Sequence, residues 1–174
     1  LIGVLVSITR FNNKGFFGKI LNKLADVYIA FFRGTPLMIQ LFIFWFGIPQ
    51  LFHIRLKPVG PIPAEFIIGA IALAINSGAY VAEIFRAGIQ AVDKGQMEAG
   101  RSLGLSEKQT LKHIILPQAI KNILPALGNE FVVIIKESAI VSVIGLADLM
   151  YNADKVTAAT YNAFGVYIGA AFIY

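Results

Sequence analysis

Between Glu98 and Pro117 the chain reads EAGRSLGLSEKQTLKHIILP, a charged stretch set between two apolar ones. Ala99 and Gly100 are small and allow another surface to come close. Gly104 can take the positive φ of a tight turn. Ser106 followed by Gln109 fits a capping box, so a short helix is expected to start there. Leu103, Leu105, Leu111, Ile114 and Ile115 offer apolar contacts to a partner or to the stretch itself. Glu98 can cap its own helix or meet a basic group. Pro117 disfavours a helical Leu116, which predicts a break before the next segment. By itself, this is a short, stiff, amphipathic projection between two spans.

The rest of the chain makes "span" the right word. Hydrophobic residues make up 57% of the 174 and charged residues 14%, with a mean hydropathy of +0.71. A soluble domain carries about 25% charge, so the composition says membrane. Cysteine is absent, which excludes a disulfide framework and thiol metal sites. His53 and His113 are far apart and give no metal-ligand spacing. The net charge of +5 is explained by Lys and Arg in cytoplasm-facing loops, and no nucleic-acid partner is expected. The chain opens at Leu1 and closes at Tyr174 inside apolar runs, which reads as a first and a last span that are both incomplete.

Five apolar segments can be placed. Leu1 to Thr9 ends one span, Gly34 to Phe52 holds nineteen residues without a charge, and Phe66 to Ala82 adds seventeen. Asn122 to Ala147 is long enough to cross but contains Glu130, Lys136 and Glu137, and Val156 to Tyr174 is uncharged. The first and third connections hold eleven basic residues, among them Arg10, Lys14, Lys19, Lys23 and Arg33, then Arg86 through Lys121. The second and fourth hold three, Arg55, Lys57 and Lys155. That imbalance puts the first set, with the stretch at Glu98, in the cytoplasm. His53 to Pro63, with Pro58, Pro61 and Pro63, is expected to be an extended, stiff link on the other side. Gly165 and Gly169 form a small-xxx-small pair that permits close helix approach or is chance in a glycine-rich chain.

The stretch at Glu98 resembles the "EAA" cytoplasmic loop of binding-protein-dependent ABC importer permeases. That pattern runs Glu-Ala-Ala, three residues, Gly, nine residues, then Ile-x-Leu-Pro. Glu98, Ala99, Gly104, Ile114, Leu116 and Pro117 match it in register, and Gly100 replaces the second Ala. Phe32-Arg33-Gly34-Thr35-Pro36, Asn76-Ser77-Gly78-Ala79-Tyr80 with Glu83, and Lys136-Glu137-Ser138 are similar to the polar amino-acid branch of that family. The resemblance implies an all-α membrane protein with the type I importer fold, about five transmembrane helices and a single permease domain over 1–174, its coupling loop at about 88–121. It implies two permease subunits, identical or related, two cytoplasmic ATPases that bind ATP and Mg²⁺, and an extracytoplasmic amino-acid-binding protein. It places the chain, multi-pass, in a bacterial or archaeal cytoplasmic membrane, importing a polar or basic amino acid. Coupling would fall to Glu98, Ala99, Gly100, Gly104, Leu105, Ile114, Leu116 and Pro117.

Gly95, Gly100, Arg101 and Ser102 nearly spell a phosphate-binding loop, but Arg101 stands where a Lys must reach the phosphates and no strand precedes it. No ATP site and no covalent chemistry are expected in this chain. Candidate path residues are Asn76, Ser77, Tyr80, Glu83, Lys136, Glu137 and Ser138. Asn76, Tyr80 and Glu83 share one helix face; their roles are substrate contact or helix–helix hydrogen bonding, and Glu83 can instead mark the cytoplasmic boundary. Lys136 and Glu137 fall mid-segment, where a lipid-facing charge costs at least about 2.5 kcal/mol, so a watery path or a structural ion pair is expected there. An ion-gradient secondary carrier permits those charges but has no use for a coupling loop. A non-transporting scaffold explains the spans without requiring the charges.

Overall fold

The computed structural model describes residues 2–11 and 15–174, with side chains at 2–7 and 15–174. Leu1 and Lys14, and the side chains of Thr9 and Arg10, lie outside the described residues. Most of the described residues are helical, with one isolated bridge between Val59 and Ile62. They form two compact units, Leu1–Arg33 with Ser77–Phe131, and Gly34–Asn76 with Val132–Tyr174.

The first unit begins with α1 (Ile2–Phe11) and α2 (Phe16–Gly34). The stretch holding Lys19, Lys23 and Arg33 was expected to be a connection, and it is a nineteen-residue helix. Its periodicity explains why. Ala25 and Ile29 are buried one turn apart, Tyr28 and Phe32 stack one turn apart at 5.1 Å, and Lys19 and Lys23 ride one turn apart on the exposed side. Next in this unit comes the second half of α5 (Ala64–Gln90), then α6 (Gly95–Ser102), α7 (Glu107–Thr110) and most of α8 (Leu116–Glu137). Val92, Ile115, Ala119 and Ile123 form its core, with Phe85, Met97 and Leu127 packed around them. Gly88 lets α5 and α8 touch, since a Cβ there would lie 2.3 Å from Ile123 Cγ1.

No break separates Leu116 from what precedes it. A π turn, Leu111–Ile115, joins α7 to α8, and Leu116 is itself helical, at φ −58° and ψ −43°. Proline removes an N–H and pushes its ring at the carbonyl four residues back. The wider π turn, in which the Leu116 N–H donates to the Leu111 carbonyl, absorbs that conflict without ending the helix. The same solution recurs at Ile43–Gly47, a π turn followed by Ile48 and Pro49.

The second unit holds α3 (Leu37–Phe42), that π turn, α4 (Ile48–Phe52) and the first half of α5. Residues 54–63 carry no helix, but the link is not extended throughout as its prolines lead one to expect: Gly60 at φ +60° makes a tight turn, closed by the bridge between Val59 and Ile62. A 3₁₀ turn, Ser138–Ile144, follows α8 and leads to α9 (Leu149–Thr160) and α10 (Ala163–Ile173). Leu41, Ala72 and Ile144 form the core of this unit, with Trp45 and Ile140 against them. The uncharged run from Val156 to Tyr174 is therefore two helices. Tyr161 turns left-handed at φ 55°, and Asn162 caps α10 by accepting from the Gly165 N–H.

By length and composition Ala64–Gln90 can cross a bilayer, and so can Phe16–Gly34 with Leu37–Phe52 if they make one broken span. Ala163–Ile173 is apolar but shorter. Leu5, Leu24, Phe46 and Phe172 are all more than half exposed, as lipid-facing side chains are.

Candidate functional site

Two groups of residues stand out: the α6–α7 projection in the first unit, and a line of polar groups along α5, of which Ser77, Tyr80 and Glu83 belong to the first unit and Asn76 to the second.

In the projection, α6 runs into Leu103 and then Gly104, whose φ of +83° reverses the chain. Ser106 caps α7 in the expected box: its hydroxyl accepts from the Gln109 N–H while the Gln109 side-chain oxygen, Oε1, accepts from the Ser106 N–H. The two helices then close on each other. Thr110 is fully buried, and a Cβ on Gly100 would lie 2.5 Å from its Cγ2. Gly100 was expected to admit a partner surface; its missing side chain is instead filled by Thr110, from inside the projection. Glu98 lies in the first turn of α6, where its charge suits the helix dipole. Ala99, Leu103 and Leu116 are exposed, while Leu105 and Ile114 are half-buried. Beside α6 a groove of about 690 Å³ is lined by apolar Val92, Met97 and Leu111 and by charged Asp93, Lys94 and Glu98.

Along α5 the four candidates have separate partners. Asn76, in the second unit, is buried and donates at 2.8 Å to Gln40, whose own amide donates to the Thr35 hydroxyl and carbonyl. In the first unit Ser77 donates at 2.9 Å to Glu130. Tyr80 lies under the Arg33 guanidinium, 5.5 Å from ring centroid to Cζ. Glu83 accepts two bonds from Arg86, one of them 2.8 Å from Nε, and stands 3.7 Å from Arg33. Tyr80 and Glu83 thus meet α2 through Arg33, Glu83 is also bonded within α5 by Arg86, and Asn76 has its own partner in Gln40.

Lys136, Glu137 and Ser138 are placed differently from the expectation. The helix does not continue through them: Lys136 and Glu137 end α8, Ser138 opens the 3₁₀ turn, and both charged residues are exposed. A helix C-terminus is also where Lys136 meets a favourable dipole.

Glu130, in the sequence no more than one of three charges inside an apolar segment, is 9% exposed, whereas Glu137 is exposed. A buried carboxylate held by one hydroxyl can take a cationic group with little further desolvation. Its partner Ser77 is 53 residues away in sequence, so no local pattern could have revealed the pair.

The chain is similar to known proteins over most or all of its length. "Putative glutamine transport system permease protein GlnP" of Rickettsia bellii (strain RML369-C) is 48% identical over 174 residues, all of this chain and 75% of that one. The "Arginine transport system permease protein ArtQ" of Bacillus subtilis (strain 168) is 49% identical over 151 residues, 87% of this chain and 66% of that one. A crystal structure of an amino acid ABC transporter with histidines superposes with a TM-score of 0.86 at 50% identity, covering 99% of this chain and 75% of its counterpart. The family model for the binding-protein-dependent transport system inner membrane component matches residues 2–174. With that match, and with the permeases on either side of it, the chain belongs to this family of inner membrane transport components.

Proposed function

We propose that this chain is the permease subunit of an ATP-driven importer for a polar or basic amino acid. It works as one multi-pass permease domain in a bacterial or archaeal cytoplasmic membrane. A partner ABC ATPase binds ATP and Mg²⁺, a second permease subunit completes the path, and an extracytoplasmic binding protein delivers the substrate. The α6–α7 projection carries the reading. It is a capped pair of short helices closed on its own small core by Gly100 and Thr110, and it shares the Ile115–Ile123 core with α5 and α8. A push on such a body moves both long helices instead of being lost in a soft loop. Exposed Leu103 and the groove beside Glu98 give an ATPase something to hold.

The amino-acid substrate is supported by the relatives named for glutamine and arginine and by the buried Glu130, which suits an ammonium or guanidinium. The test is reconstitution in proteoliposomes with the neighbouring ATPase and binding protein. ATP-dependent uptake of L-arginine, L-glutamine or L-histidine is expected. Uptake driven by an ion gradient in the absence of ATP, or no co-purifying ATPase, would defeat the proposal.

A further inference from the structure

We infer that Arg33 binds the carboxylate of the transported amino acid, with Tyr80 as its seat; this rests on the amino-acid import proposed above. Arg33 lies in the last turn of α2. Its guanidinium carries five N–H donors in a fixed fork that matches a carboxylate, and among the described residues it donates no hydrogen bond. The nearest acid, Glu83, stands at 3.7 Å, beyond hydrogen-bond reach. Glu83 is already claimed by the other arginine: Arg86 grips both of its oxygens and also reaches Gln90. Two arginines thus share one carboxylate, and the looser of them keeps its donors.

The looser arginine is also the one held in place and within reach. The Tyr80 ring fixes its plane at 5.5 Å without using any N–H, and 40% of the side chain is exposed. An arginine serving only to tie α2 to α5 would be expected to close on Glu83 as Arg86 does. Every amino acid carries the same carboxylate, so a group reading it serves an importer whatever side chain is carried. Three residues back from Tyr80 on α5, about 4.5 Å of rise away, Ser77 holds the buried Glu130 of α8, so the opposite sign is supplied against the same helix.

The experiment uses the purified permease–ATPase complex without binding protein, whose own recognition would mask the permease. Equilibrium dialysis measures binding of L-arginine and of L-argininamide, which lacks the carboxylate. The wild-type complex is expected to prefer L-arginine at least tenfold. Arg33→Gln should lower L-arginine affinity tenfold or more and erase the preference, leaving L-argininamide unchanged. Arg33→Lys, which keeps charge but not the fork, and Tyr80→Leu should fall between. A merely structural Arg33 would change both ligands alike. An unchanged preference in Arg33→Gln, or full preference in Arg33→Lys should the first variant not assemble, would overturn the inference. So would a preference that follows phosphatidylglycerol in the micelle instead of the amino acid. Uptake by the wild-type complex in proteoliposomes separates the two readings. A complex that imports L-arginine yet shows no preference for it refutes the role of Arg33 alone, and one that imports no amino acid refutes both.

Discussion

Replacing Gly100 with alanine tests whether the projection is closed from within. The added Cβ would lie 2.5 Å from Thr110 Cγ2, 2.8 Å from its Oγ1 and 3.2 Å from its Cβ. Thr110 cannot easily turn aside: it is β-branched and so has few χ1 choices, and its hydroxyl donates to the Ser106 carbonyl at 3.1 Å. Overpacking of this kind costs about 1–3 kcal/mol. Alanine in place of a helical glycine returns about 1 kcal/mol, leaving a net loss of about 1 kcal/mol. Thr110→Ala alone should also destabilise, by losing a hydrogen bond and packing. The double variant should be better than the sum of the two singles by about 1–2 kcal/mol, because the clash is with Thr110 itself. Amide hydrogen exchange over residues 98–112 in the assembled complex reads the local stability, with a tenfold change in opening for each 1.4 kcal/mol. Additive effects in the double variant would refute the idea that Gly100 and Thr110 occupy one space.

Gly104→Val should cost about 2 kcal/mol or more, because φ is +83° while nothing lies within 4 Å of the added Cβ. Gly104→Asn should be tolerated, and ATPase assembly with uptake distinguishes them. Ser77→Ala leaves the Glu130 carboxylate without its hydroxyl and should lower stability by about 1.5–3 kcal/mol, seen in the melting of the complex. Glu130→Gln keeps the shape and can still meet Ser77, so it should melt nearly as wild type while weakening L-arginine binding roughly tenfold; an unchanged L-arginine affinity would argue against a charge role. The purified subunit alone should hydrolyse no ATP, since Arg101 stands where a phosphate-binding Lys is required, and hydrolysis appearing only with the partner ATPase is the expected control.

What could be read from the sequence was local. The turn at Gly104 and the Ser106–Gln109 box obey rules that span four residues, and both stand as expected. Helix ends that lack such punctuation were missed. Tyr161 ends α9 with neither glycine nor proline, and Glu137 ends α8 in an apolar context that continues through Ile144. In α2 the error ran the other way. Four charges made residues 16–34 look like a connection, although Lys19, Lys23, Asp26 and Arg33 leave an apolar face for Ala25 and Ile29. Tertiary partners decided the remaining cases. Glu130 and Glu137 cannot be ranked without knowing that Ser77 reaches the former, and Gly100 looks like a surface feature until Thr110 is seen filling it.

The π turn at Leu111–Ile115 has a consequence for register. Thr110 and Ile115 are both buried though five residues apart, and Ala119 and Ile123 follow at intervals of four. The helix therefore carries one surplus residue, taken up within a single turn, and that is what keeps Thr110 in line with the face below it. A surplus residue in a continuous helix can migrate, and each step turns one residue by about 100° and shifts it by about 1.5 Å. Pro117 stops it from travelling up α8, because the ring clash it relieves lies at that one place. Pro117→Ala would unpin it. The result would be a straight, well-formed helix whose side chains occupy more than one registration, so the damage would appear as doubled resonances along α8 while its helicity stayed intact.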